Sequence, residues 1–307
     1  MTLNLLIDCD PGHDDAVAIL LANKLANLVS LTTVAGNTDL ENTTRNALSL
    51  LELIELDIPV HAGAAEALAV DARDARHVHG KSGLAGSGLP EPSTSIASCD
   101  AAGHICEQVR AVDDLWLVAI GPLTNIALAL DRDPALVSKA AGLVIMGGST
   151  GAGNSTASAE FNIWADPHAA KKVFAAGFHP IICGLNLTQQ FLTDDAFVAA
   201  LRDTDKVVTH LVAGLYAHMH DRLEDLTGLR QAALHDPCAV LALTHPSLFE
   251  FEELYGDVET EGELTNGMTV FDQRRTLVKP APNCRVATRI DAGRARKLVL
   301  DTLISGY

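Results

Sequence analysis

Residues 6–15 read LIDCDPGHDD and place four aspartates directly behind a short apolar run. These acids are Asp8, Asp10, Asp14 and Asp15. Carboxylates packed this densely repel one another, so the fold must supply something that neutralises them. The run LNLLID at residues 3–8 predicts a buried strand, and residues 15–24 predict a helix with acidic groups near its N-terminus. A strand, an acidic loop and a helix therefore open the fold.

The rest of the chain continues this alternation of short β-rich runs and longer helical patterns. Strands are expected at residues 28–36, 58–63, 114–121, 142–148 and 179–188. Helices are expected at residues 40–54, 100–111, from 123 onward and 166–177. This order predicts an α/β fold, an open and mainly parallel sheet flanked by helices on both faces. Residues beyond 190 are expected to be more helical, with extended or antiparallel segments at 255–290. No internal repeat or low-complexity linker divides the chain, so residues 1–307 are expected to form a single domain.

Charge and composition limit the classes of function. The sequence contains 22 Lys and Arg residues and 39 Asp and Glu residues, which gives a formal charge of −17. This excess of negative charge argues against a nucleic-acid or anionic-membrane partner. No apolar run approaches the ~18 residues that span a membrane, and the start LNLLI lacks the basic lead and length of a secretion signal. The six cysteines contain no C-x-x-C pair and favour reduced core thiols. We expect a cytoplasmic protein.

Polar residues collect where the predicted strands end. In doubly wound sheets, ligands bind beyond the carboxyl ends of the strands. The sequence places these polar segments there: residues 8–15, 36–37, 121–125 and 147–162, and Asn186. A binding site is therefore predicted along that edge of the sheet.

Several functions compete for the four aspartates. An EF-hand loop fails, because a loop starting at Asp8 has its glycine one place early and Ile19 at position twelve. A phosphatase with Asp8 as nucleophile is a real competitor, although Gly12 stands where that pattern normally has Thr or Val. Helix caps and turns explain one or two acids better than four. Hard oxygen ligands in this number suit Ca²⁺ or Mg²⁺.

Three further motifs carry polar groups that suit a site. The segment GGSTGAGNSTASAEFN at residues 147–162 is not a dinucleotide fingerprint, but its Glu160 and Asn162 could bind a polyhydroxyl ligand. His235 and Asp236 precede an apolar helix, where a helix cap is the simpler interpretation. His77 and His79 lie beside a glycine-rich loop. The Gly-x-Ser-x-Gly motif of serine hydrolases is absent.

Taken together, these stretches resemble the inosine-uridine nucleoside hydrolases, which are calcium-dependent N-ribohydrolases. DCDPGHDDAVAILLA is close to the family signature, and six more segments follow in the family's order: TTVAGN, HVHGKSG, GPLTNIALAL, VIMGG, AEFNIWADPHAA and HDPCAV. The resemblance extends from residue 3 to about residue 300. It implies a Rossmann-like α/β sheet, a Ca²⁺ cofactor, a small-molecule ribonucleoside substrate, a homodimer or homotetramer, and a place in nucleoside salvage or catabolism.

The resemblance also implies a role for each matching residue. Asp10, Asp15 and Asp236 would be calcium ligands, together with the backbone carbonyl of Thr124. The ribose-binding positions are Asp14, Asn37, Asn154, Glu160 and Asn162, with Met146 beneath the sugar. His235 would assist departure of the base, and His79 would lie near the base. A Ca²⁺-bound water, activated by Asp10, would then split the N-glycosidic bond to give ribose and a free purine or pyrimidine base.

Two points stay open at this stage. Family members often place aromatic residues against the base from the helix that precedes HDP, and here Tyr216, His220 and Arg222 are all candidates. A nucleoside-binding protein without turnover would be favoured if the acid at position 10, 15 or 236 were replaced. All three acids are present.

Overall fold

The chain folds around an eight-stranded sheet in a computed structural model that describes residues 2–276 and 278–307. The strands are β1 (Asn4–Cys9), β2 (Asn27–Thr33), β3 (Val60–Ala62), β4 (Leu115–Ala119), β5 (Gly142–Met146), β6 (Ile181–Cys183), β7 (Leu192–Thr193), β8 (Ala232–Ala233), β9 (Phe249–Leu254), β10 (Gly256–Val258), β11 (Thr269–Phe271) and β12 (Cys284–Ile290). The α-helices are α1 (His13–Leu25), α2 (Leu40–Leu53), α3 (Arg76–His79), α4 (Ala101–Ala111), α5 (Thr124–Arg132), α6 (Leu136–Lys139), α7 (Phe161–Ala165), α8 (Pro167–Ala175), α9 (Leu185–Thr188), α10 (Asp195–Arg202), α11 (Val207–Thr227), α12 (Pro237–Thr244) and α13 (Ala292–Gly306). A 3₁₀ turn, Pro246–Leu248, precedes β9.

The order of the strands creates a crevice near the middle of the main sheet. That order is β3-β2-β1-β4-β5-β6-β12-β9, and every neighbouring pair is parallel except β12 and β9. The chain moves outward from β1 to β3 and then returns to start β4 on the other side of β1. The loops after β1 and β4 therefore diverge, and such a switch point is where doubly wound sheets bind ligands.

Both faces of the sheet are covered by helices, because successive side chains of a strand point to opposite faces. Leu5 and Ile7 of β1 join one apolar cluster, which includes residues of α1, α2, α11 and α12. Leu6 joins a second cluster on the other face, with residues of α4, α5 and α8. The α/β architecture with a mostly parallel sheet flanked by helices is confirmed.

One local expectation differs from the structure, whereas the antiparallel or extended segments expected at 255–290 are present as β10, β11 and β12. Residues 179–188 were expected to form one strand, but β6 ends at Cys183 and a helical turn, α9, follows Gly184. The extended segments expected at 255–290 include β12, which pairs in parallel with β6 and antiparallel with β9 inside the main sheet. All six cysteines are free thiols, of which Cys99 is exposed and the others buried. Among the described residues, no helix has the length and apolarity to cross a membrane.

Candidate active site

The loop between β1 and α1 is folded back on itself by Asp15. The carboxylate of Asp15 accepts the backbone N–H of Asp10 at Oδ1 (3.1 Å) and that of Gly12 at Oδ2 (2.9 Å). Gly12 is the residue that precedes α1, so Asp15 pairs with backbone donors that the first turn of a helix leaves free. The side-chain amide of Asn37 adds a third donor at 3.2 Å. These three donors hold the Asp15 carboxylate in a fixed position within the loop.

The carboxylate of Asp10 has one engaged and one free oxygen. Its Oδ2 accepts the backbone N–H of Asn37 over 2.7 Å. Its Oδ1 is buried and has no hydrogen-bond partner among the residues that the structure describes. A Cβ placed on Gly121, in the loop after β4, would lie 2.7 Å from this oxygen, so glycine is needed for that loop to approach it.

Asp14, Asp15 and Asp236 form the closest group of carboxylates. Each offers one oxygen, and these oxygens lie within 4.8 Å of one another. Burial raises the pKa of Asp15 to about 7, with the nearby Asp14 carboxylate adding to the rise. Burial, followed by repulsion from Asp14 and Asp15, also raises the pKa of Asp236 well above its usual range. Buried, mutually repelling oxygens of this kind, beside the free Oδ1 of Asp10, fit a divalent cation that prefers hard ligands.

Thr124 and Asp8 are two other residues named from the sequence. Thr124 is buried at the start of α5, and its hydroxyl donates to Asp166 over 2.8 Å. Since that side chain is engaged, a ligand role for Thr124 depends on its backbone carbonyl.

Asp8 is fully buried in β1, where its Oδ1 accepts the Thr32 hydroxyl (2.6 Å) and the Asn125 amide (2.8 Å). Burial raises the pKa of Asp8 to about 7. Asp8 is hydrogen-bonded inside the fold by Thr32 and Asn125, which disfavours its role as a phosphatase nucleophile.

The residues named for sugar binding are held by backbone contacts. Glu160 precedes α7 and accepts N–H groups from Gly148 (2.9 Å), Asn162 (3.0 Å) and Ile163 (3.2 Å). Burial nevertheless raises its pKa to about 7, against the lowering effect of those donors. The amide nitrogen of Asn162 donates to the carbonyls of Ile120 (2.9 Å) and Met146 (3.1 Å). Asn162 also lines the cavity described below.

A cavity of about 490 Å³ brings most of the predicted site residues together. It is lined by Asp14, Asn37, His79, Met146, Asn154, Glu160, Asn162, His235 and Asp236. His235 lies two residues before the start of α12, and its Nδ1 is 2.8 Å from the hydroxyl of Thr188. Burial lowers the pKa of His235, against the opposing charge of Asp14. Asn154 is exposed at the rim, where its Oδ1 accepts the N–H of Phe161 over 3.0 Å.

None of the three candidates for base contact lines this cavity. Tyr216 is buried in the core, and its ring meets that of Phe197 edge-on. His220 is buried beside Thr193, and Arg222 donates to the carbonyl of His77. The face of α11 that borders the cavity carries Met219, Leu223, Leu226 and Thr227 instead. Because these residues are spaced three and four apart, they lie on one side of the helix. Since α11 is apolar on several sides, the sequence alone did not identify the side that borders the cavity.

Comparisons with known proteins agree with this arrangement. The model of the inosine-uridine preferring nucleoside hydrolase family matches residues 5–297. The chain is 43% identical to a non-specific ribonucleoside hydrolase, RihC, of Escherichia coli O1:K1, over 99% of each chain. It is 41% identical to a pyrimidine-specific ribonucleoside hydrolase, RihA, of Shewanella baltica, over 99% of this chain and 96% of the relative.

A solved structure extends the likeness to the fold. The purine-preferring ribonucleoside hydrolase from Gardnerella vaginalis superposes with a TM-score of 0.92 at 30% identity, over 99% of this chain and 98% of that chain. The chain therefore belongs to the inosine-uridine preferring nucleoside hydrolase family, and it is an enzyme that hydrolyses ribonucleosides to ribose and free base.

Proposed function

We propose that this enzyme accepts both purine and pyrimidine ribonucleosides. One observation carries the proposal: the wall of the cavity contributed by α11 is formed by Met219, Leu223 and Leu226, with only Thr227 adding a polar group. Apolar side chains contact the faces of a base without reading its hydrogen-bonding edge. A hydrophobic pocket discriminates between similar ligands by only about 10- to 200-fold. The relatives differ in the same property, since their names include pyrimidine-specific, non-specific and purine-preferring enzymes.

Ca²⁺ is the cofactor that we propose for the acidic group. Asp10, Asp15 and Asp236 would hold it, with the backbone carbonyl of Thr124 as a further ligand. The support is the chemistry of the donors, because Asp14, Asp15 and Asp236 offer hard oxygens within 4.8 Å of one another and Oδ1 of Asp10 is buried without a partner among the described residues. When bound, the ion would orient the 2′- and 3′-hydroxyls of ribose and lower the pKa of a neighbouring water.

Asp10 is the group that we propose as the base in the reaction. Its Oδ2 is held by Asn37 while Oδ1 has no partner among the described residues, so Oδ1 is available to take a proton from a water that attacks C1′. Cleavage of an N-glycosidic bond builds positive charge on the ribose ring. Asp14, Asn37, Asn154, Glu160 and Asn162 would bind the hydroxyls, with Met146 beneath the ring. Contacts that strengthen as the ring flattens would favour the transition state over the substrate.

His235 is the group that we propose to protonate the departing base. It lines the same cavity, and its Nδ1 is oriented by Thr188. That contact leaves Nε2 for the substrate. Protonation at this position would let a purine leave as a neutral base.

The experiment that tests the substrate proposal is a set of kcat/KM values with calcium for inosine, guanosine, adenosine, uridine and cytidine. We expect ribose to be released from both classes of nucleoside, with values spread over about two orders of magnitude. Turnover confined to one class would overturn the proposal. The Asp10→Asn variant, purified in the same way, controls for contaminating hydrolases, and p-nitrophenyl phosphate tests the phosphatase alternative directly.

The resemblance also supports an oligomeric state and a cellular location. We propose that the chain forms a homodimer or homotetramer, and that it lies in the cytoplasm. Light scattering on the purified chain measures the first. Cell fractionation followed by immunoblotting measures the second.

A further inference from the structure

Two adjacent glutamines, Gln189 and Gln190, directly follow α9. The side-chain amide of Gln190 is engaged within the fold. Its nitrogen donates to the carbonyls of Asn186 (2.8 Å) and Thr288 (2.9 Å), and its oxygen accepts the N–H of Ile290 over 3.4 Å. Two of these contacts hold the segment against β12 in the main sheet. The backbone at Gln189 therefore has a fixed position.

The side chain of Gln189 has a different environment. It is exposed, it lines the cavity, and its amide makes no hydrogen bond to another of the described residues. A primary amide carries two N–H donors and an oxygen that accepts. Gln189 therefore offers unused donors and an unused acceptor to a ligand in the cavity.

Gln189 is placed beside His235 by two pairs of contacts. Thr188, the preceding residue, lies 2.8 Å from Nδ1 of His235 through its hydroxyl. The carbonyl of Phe191 accepts the N–H of Leu234 over 2.9 Å, and β7 then pairs antiparallel with β8. The segment 188–193 thus runs alongside the segment that leads to His235. Since His235 is proposed to protonate the departing base, Gln189 lies at the end of the cavity assigned to the base.

The wall of the cavity formed by α11 offers no free polar group for the edge of a base. Met219, Leu223 and Leu226 are apolar. The hydroxyl of Thr227 already donates to the carbonyl of Leu223 (2.7 Å) and accepts the N–H of Leu229 (3.2 Å). This wall can cover a base, but a hydrogen-bonding partner for the base has to come from another part of the cavity.

We propose that Gln189 is a specificity residue whose side-chain amide hydrogen-bonds the edge of the nucleobase. This inference deepens the proposed function and rests on it, since the ligand in the cavity is taken to be a nucleoside. The last torsion of a glutamine side chain has two broad orientations, so the amide can present either its N–H or its oxygen. One residue can then serve an acceptor such as O6 of inosine and a donor such as the amino group of adenosine. Acceptance of several bases follows from this exchange.

The simpler alternative is that Gln189 lies at the rim of the cavity and bonds only water. In that role its replacement would change the turnover of all substrates equally or not at all. Substrates whose leaving groups carry different polar atoms distinguish the two roles.

The test replaces Gln189 by Met, which has a similar length and no amide. Steady-state kcat/KM with calcium is measured on inosine, uridine and p-nitrophenyl riboside. We expect a loss of about tenfold for each nucleoside, the value of one hydrogen bond of ordinary strength. For p-nitrophenyl riboside, whose leaving group has neither an N–H nor a carbonyl, we expect less than about a twofold change. Gln190→Met is the matched control. It removes contacts inside the fold, so it should lower Tm and affect the three substrates equally.

A second variant tests the exchange between donor and acceptor. Gln189→Glu keeps an acceptor and loses the donor, so it should spare adenosine and impair inosine. The ratio of kcat/KM for adenosine to that for inosine should rise about tenfold over the wild-type ratio.

Several results would overturn the inference. They are equal losses on all three substrates in a folded Gln189→Met variant, no loss on inosine or uridine, a loss on only one of these nucleosides, and an unchanged ratio in Gln189→Glu. Each of them leaves the wild type active and the proposed function intact. Failure of the wild type to release ribose from any nucleoside would instead overturn the proposed function, and this inference with it.

Discussion

The backbone N–H of Asn37 holds Oδ2 of Asp10 at 2.7 Å, while Oδ1 of the same carboxylate is buried without a partner among the described residues. A buried carboxylate oxygen with no donor costs free energy in the ligand-free protein. Burial, and then repulsion from Asp15, accordingly raises the pKa of Asp10 well above its usual range. The free oxygen is thus a point at which a cation or a water would relieve an unfavourable state.

Replacing Asp10 by Asn should remove turnover of inosine while the protein stays folded. The amide keeps the size of the side chain but cannot take a proton from water, so we expect kcat to fall by about 10²–10⁴. Asp8→Asn is the matched control, since Asp8 is two residues away, fully buried and hydrogen-bonded to Thr32 and Asn125. It should change kcat by a few-fold at most. Near-normal kcat for Asp10→Asn would remove Asp10 from the proposed mechanism.

A 2′-deoxynucleoside should be a very poor substrate. If the cation and Asp14 both contact the 2′-hydroxyl, its loss leaves buried polar groups unpaired. Sites built to bind a hydroxyl reject the analogue without it by roughly 10⁴-fold or more. Steady-state kcat/KM for uridine and 2′-deoxyuridine measures the effect, and comparable values for the two would contradict the proposed contacts.

His235→Ala should damage hydrolysis of inosine far more than hydrolysis of p-nitrophenyl riboside. Hypoxanthine needs a proton as it leaves, whereas p-nitrophenolate leaves readily as an anion, so only the first reaction loses about 10²–10⁴-fold. Asp10→Asn is the contrasting variant and should impair both substrates. Equal losses in His235→Ala would mean that the residue acts by supporting Asp236 next to it.

Calcium should stabilise the protein more at pH 8 than at pH 5. The pKa of Asp15 is 3.8 in an unfolded chain and about 7 in the metal-free fold, so the folded protein binds a proton that the unfolded chain has released. Metal-free stability therefore falls as pH rises from about 4 to about 7. Calcium favours the ionised carboxylate and should offset part of that fall, by about 2.7 kcal/mol at 100 times Kd.

Thermal unfolding with EDTA or with calcium across this pH range measures that effect. The pKa values of Asp8 and Glu160 are also raised to about 7. These two groups should therefore keep part of the pH dependence of Tm, both with EDTA and with calcium. Asp15→Asn is the control and should abolish most of the calcium-dependent shift in Tm. A calcium shift of equal size at pH 5 and pH 8 would contradict the assignment of the ion to raised-pKa carboxylates.

Sequence patterns predicted the local parts of this fold well. The strand, loop and helix at the N-terminus follow from an apolar run that ends at clustered acids, and α1 begins at His13, two residues earlier than expected. The edge of the sheet that carries the site follows from the alternation of strands and helices, since parallel strands bring their carboxyl ends together. The individual roles at that edge came from the family resemblance, because polar residues alone do not identify a substrate.

What sequence patterns missed depends on distant contacts. The run LNLT after Gly184 is too short for its period to distinguish a strand from α9. The partners of β12 are separated from it along the chain, and no local pattern specifies them. Met219 and Leu223 border the cavity because of how α11 packs on neighbouring helices, whereas Tyr216 on the same helix is buried in the core.

The insertion of β12 between β6 and β9 has a consequence for synthesis of the chain. β6 ends at Cys183 and β12 begins at Cys284, so during translation the outer edge of β6 lacks its native partner until nearly the whole chain has left the ribosome. An unpaired strand edge is a site for association with other chains. Nascent or truncated chains that stop before Cys284 should therefore aggregate, and this enzyme should depend on chaperones more than a protein whose sheet is completed in chain order.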